Sequence, residues 1–132
     1  CLAAKLSISI NSHFLTVTNG LLSIFLSEST APLLENLCVI HLYRKYEEKL
    51  YFYNKNIEVD FYVPEEKYAI QACVTLHDEE TKNREIGALT KLDQLESLEK
   101  MTIVTLEEED AITTPSGKSI EIVPAWKWMT TK

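Results

Sequence analysis

Three polar residues stand where their neighbours are largely apolar: Glu35 in Leu33-Leu34-Glu35-Asn36-Leu37, Asp60 in Val59-Asp60-Phe61, and Gln71 in Ile70-Gln71-Ala72-Cys73. Two carboxylates and an amide carbonyl are hard oxygen donors, the ligand class Mg²⁺ takes. Brought together from separate elements, they would form a small oxygen-lined site. The plainer account is that Glu35 favours the dipole of a helix's first turn and that Asp60 is a surface residue of a strand.

Other motifs carry less. Gly117-Lys118-Ser119 resembles the end of a phosphate-binding loop, but the glycine required five positions earlier is Ile112, so Pro115-Ser116-Gly117-Lys118 reads as a hairpin turn. His13, His41 and His77 have no metal-ligand spacing and fall in three different elements. Glu107-Glu108-Glu109-Asp110 lacks the alternating ligands and central glycine of a calcium loop and reads as a solvated loop. Cys1, Cys38 and Cys73 form no CxxC pair and read as reduced thiols.

The 132 residues carry 20 acids against 13 Lys and Arg, a net charge of -7, which is opposite in sign to the footprint of a nucleic-acid binder. The length and the 45% apolar content fit one globular domain. Leu21 to Leu26 is far too short to span a bilayer, which takes about 20 residues, and no secretory signal is present, so no membrane partner and a cytoplasmic location are expected. A first residue of Cys1 rather than Met reads as a C-terminal fragment of a longer protein.

The elements that must position the polar residues follow from periodicity. A short strand is expected near 13–18, stopped at Asn19-Gly20, within a segment 1–30 that leads into a domain over 31–132. Pro32 opens a helix over Leu33 to Tyr46 whose apolar residues cover most of its circumference. Lys49 to Tyr53 and Ile57 to Val63 form a hairpin, with Ile57, Val59, Phe61 and Val63 on one face and Asp60 on the other. Tyr68 to Leu76 is the next strand, with Gln71 and Cys73 facing away from Ile70. Asp78 caps a helix ending in the nineties; strands over Met101 to Leu106 and Ser119 to Val123 and a short helix over Pro124 to Met129 complete the chain. Leu37 and Phe61 are expected in the core. The order predicts an α/β fold with a mixed central sheet flanked by helices.

An acid on a helix, an acid on a strand and an x-to-x+2 pair on the next strand is the order in which PD-(D/E)xK nucleases present their metal site. The segments quoted above, with Asp78 to Leu89 and Val123-Pro124-Ala125-Trp126-Lys127-Trp128, together resemble the C-terminal nuclease-like domain of AAA-type, archaeal-like ATPases. The resemblance runs from about His13 to Trp128 and implies a restriction-endonuclease-like αβββαβ core. It puts Glu35 and Asp60 at two acidic, Mg²⁺-binding positions, Gln71 in place of the third carboxylate, and Cys73 in place of the lysine that stabilises the attacking hydroxide or the phosphate charge. Lys67 and Lys55 are the candidates for a displaced lysine. The resemblance thus implies a degenerate, non-catalytic accessory domain serving assembly or partner binding, with ATP bound in an N-terminal part absent from this chain. Its partners would be its own ATPase domain, a second copy or another protein. The alternatives are a Mg²⁺-dependent DNA nuclease using Glu35 and Asp60, and a purely structural dimerisation domain. The nuclease-like arrangement further predicts that Glu35, Asp60 and Gln71 converge, on the sheet face opposite Phe61 and Ile70.

Overall fold

The structure, a computed structural model, describes residues 3–5, 30–54 and 56–130. The expected strand near 13–18 lies outside them. Among the described residues seven strands form one mixed sheet. They are β1 (Ala3–Lys5), β2 (Tyr51–Asn54), β3 (Glu58–Val63), β4 (Tyr68–Ala72), β5 (Lys100–Thr105), β6 (Asp110–Thr113) and β7 (Ser119–Pro124). The helices are α1 (Thr30–Tyr46), α2 (Glu79–Glu96) and α3 (Ala125–Thr130), with one-turn 3₁₀ helices at Glu47–Lys49 and Pro64–Glu66. The spatial order is β1-β2-β3-β4-β5-β7-β6. β1 to β4 run antiparallel in sequence, β4, β5 and β7 are parallel, and β6 returns antiparallel to β7. Two strands escaped the sequence reading: β1, which ties part of the leading segment into the sheet, and β6, which begins at the last acid of the tetrad.

Both faces of the sheet are covered. Leu34, Cys38 and Leu42 of α1 pack with Phe61, Val63, Tyr68, Ile70, Val104 and Val123, and Trp128 of α3 joins them. On the other face Leu89 and Leu92 of α2 pack with Val59, Tyr62, Ala69, Met101, Ile103, Ile120 and Ile122. Phe61 is buried as expected, whereas Leu37 is half-buried, and Leu33, Leu34, Cys38 and Leu42 take the fully buried positions of the helix.

The facing of β3 departs from strict alternation. Tyr51 pairs with Tyr62 and Tyr53 with Val59, so two steps along β2 match three along β3. The surplus residue is a β-bulge, and it reverses the parity of everything after it. Val59 therefore faces α2 while Phe61 and Val63 face α1, where a regular strand would have put all three on one side.

Side-chain hydrogen bonds fix the helices. Asp78 caps α2, its Oδ2 accepting from Thr81 N at 2.9 Å and from the Thr81 hydroxyl at 2.8 Å. In the last turn of α2, Asp93 Oδ1 accepts from Leu98 N at 2.9 Å and from Lys118 Nζ at 2.6 Å, and Lys118 also donates to Leu98 O. Lys118 of the Gly-Lys-Ser motif therefore clamps the β6–β7 hairpin to α2, and the turn reading of that motif is the one the fold uses. On the opposite face Trp128 Nε1 donates to the Tyr68 hydroxyl at 3.0 Å, which donates to Thr102 Oγ1 at 3.2 Å.

Candidate functional site

The bulge that reverses β3 also opens the sheet. Backbone pairing of β3 with β4 stops at Phe61 and Ile70, and one step further the side chains of Asp60 and Gln71 take over. Asp60 N donates to Gln71 Oε1 at 2.8 Å, Gln71 Nε2 donates to Glu58 O at 3.1 Å, and Ala72 N donates to Asp60 Oδ2 at 2.8 Å. Gln71 is 2% exposed, so these bonds satisfy polar atoms that would otherwise be stranded in the core. Its carbonyl oxygen is engaged with a backbone amide and is not turned to a ligand.

Two cavities meet at Asp60. One of about 580 Å³ lies on the α2 side and is lined by Glu58, Asp60, Gln71, Arg84, Glu85 and Lys91, among others. The other, of about 370 Å³, runs toward the start of α1 and is lined by Glu35, Asp60, Cys73, Arg84 and Glu85, among others. Burial pushes Asp60 up to about 7; the Ala72 N–H pulls the other way, and the carboxylates of Glu85, Glu35 and Glu58 push it further up. Glu85 is raised by burial first, against the pull of the Arg84 guanidinium, and by Glu35 and Glu58. Glu35 stands exposed at the rim, and partial shielding of its carboxyl raises it as well. Burial, with Glu85 next, raises the Cys73 thiol, whose Sγ donates to Thr75 O at 3.1 Å. Cys73 is therefore a neutral thiol near neutral pH.

The structure brings together Asp60 with Gln71, and Asp60 with Glu35 and Cys73, but not all of them at one point: Glu35 and Gln71 share no cavity. This differs from the expected convergence on the face opposite Phe61 and Ile70. The helix carrying Glu35 lies on the same face as Phe61 and Ile70, not opposite them, while Gln71 opens to the α2 side. The sequence reading missed Glu85, Arg84 and Lys91, all on α2; Glu85 is one turn past the Thr81 that pairs with the cap, and no motif marked it. Of the proposed displaced lysines, Lys67 lines neither cavity and Lys55 lies outside the described residues. Among the described residues no group of three His, Cys, Asp or Glu side chains is placed to hold a metal ion. Glu35 and Asp60 would supply two carboxylates, short of a protein-built octahedral shell.

The remaining motifs have structural partners. Glu108 accepts from Leu76 N through both carboxylate oxygens, at 3.1 and 3.0 Å, and Glu109 pairs with Lys127. His41 packs at a tilt against Trp128, with ring centroids 4.6 Å apart and an interplanar angle of 56°. Among the described residues no helix is long and apolar enough to cross a membrane.

The fold and site thus define an α/β protein with a carboxylate-lined opening in a mixed sheet. The uncharacterized protein MJ1544 of Methanocaldococcus jannaschii is 37% identical to it over 119 residues, covering 83% of this chain and 27% of that protein. The chain thus spans about a quarter of the length of this curated relative. No family model matches the chain, and no solved structure matches it.

Proposed function

We propose that this chain is a degenerate, non-catalytic PD-(D/E)xK nuclease-like domain, an accessory part of a larger AAA-type ATPase that serves assembly or partner binding. The reading rests on one observation above the others: Gln71, at the third ligand position, spends its amide on the backbone of Asp60 and Glu58. The order α1, β2, β3, β4, α2, β5, antiparallel through β4 and parallel from β4 to β5, supports the αβββαβ core. A neutral Cys73 and a net charge of -7 both weigh against holding and cleaving a phosphodiester.

One observation favours a second reading, a Mg²⁺-dependent nuclease using Glu35 and Asp60: Arg84 and Lys91 bring positive charge to the Asp60 cavity from α2. Incubation of the chain with single- and double-stranded DNA and Mg²⁺ or Mn²⁺ separates the two. No cleavage is expected; metal-dependent turnover that vanishes in Asp60→Ala overturns the non-catalytic reading. Capture of the full-length protein with its bound proteins tests the accessory role, and an ATPase that assembles and works unchanged without this domain refutes it.

A further inference from the structure

We draw no further inference here: the strongest candidate, the cavity of about 580 Å³ between α2 and β3 that Asn83, Gly87 and Lys91 line, belongs to the Asp60 site already described, and nothing in the structure shows what ligand its charges of both signs would hold.

Discussion

Asp60 holds a proton more tightly when folded than when unfolded. The unfolded side chain titrates near 3.8, and burial together with Glu85, Glu35 and Glu58 moves it to about 7 in the fold. A group raised in this way contributes stability that is fully present below about pH 4 and lost as pH rises through about 7. Thermal unfolding is therefore expected at a higher temperature at pH 5 than at pH 8, and Asp60→Asn, which cannot ionise, should flatten that slope. His41, lowered by burial and by Lys45 and Arg44, works in the opposite sense and is common to both proteins, so their difference reports Asp60 together with the Glu85 and Glu35 carboxylates coupled to it. Identical slopes in the two would show that Asp60 does not titrate there. Gln71 makes a second prediction at this scale. Gln71→Leu keeps much of the volume but strands Asp60 N and Glu58 O, and urea unfolding should report a loss of about 1 to 3 kcal/mol. A neutral outcome would mean that water satisfies both groups and that the amide is not holding the opening together.

At the scale of elements, much was legible because local chemistry and tertiary structure agree. Asp78 followed by Glu79, Glu80 and Thr81 is a cap in the sequence and a cap in the fold. The parallel strand β5 is a buried apolar run and reads as one. β6 was not legible: Asp110-Ala111-Ile112-Thr113 is an edge strand whose side chains are mostly exposed, so alternation has almost nothing to act on. The bulge was not legible either, because no glycine marks it and the extra residue is Asp60 or Phe61, both ordinary in a regular strand. That single missed residue misassigned the facing of half of β3, and with it the side from which α1 approaches Asp60. The clamp on α2 was equally hidden, since Asp93 and Lys118 are 25 positions apart. Its test is Lys118→Met, which leaves the 6%-exposed Asp93 carboxylate without its cation. A loss of about 1 to 3 kcal/mol is expected in chemical unfolding, with Lys118→Arg recovering part of it. No loss would mean that the Leu98 amide alone satisfies Asp93.

For the whole molecule, the sheet is a shared wall between two cores, one under α1 and α3 and one under α2. Every central strand contributes to both, so neither can melt while the other stays ordered. Tryptophan fluorescence of a Trp126→Phe protein, which leaves Trp128 to read the α1 side, and far-UV circular dichroism, which reads all elements, should give one coincident urea transition. Leu42→Ala on one face and Leu89→Ala on the other should each cost about 2 to 5 kcal/mol and move both signals together. Two separated transitions would show that the faces unfold independently.

The Trp128–Tyr68–Thr102 chain of hydrogen bonds joins α3 to β4, 60 residues earlier, and through it to β5. On a ribosome, the chain is made from its N-terminus, so β2, β3 and β4 can pair as a local meander long before α3 emerges. Until it does, the aromatic face of Tyr68 remains uncapped at that end, and the Tyr68 hydroxyl lacks its tryptophan donor. Completion of the fold is thus tied to the emergence of α3 from the ribosome, and a nascent chain stalled before Trp128 would present to chaperones a nearly finished sheet with one open seam.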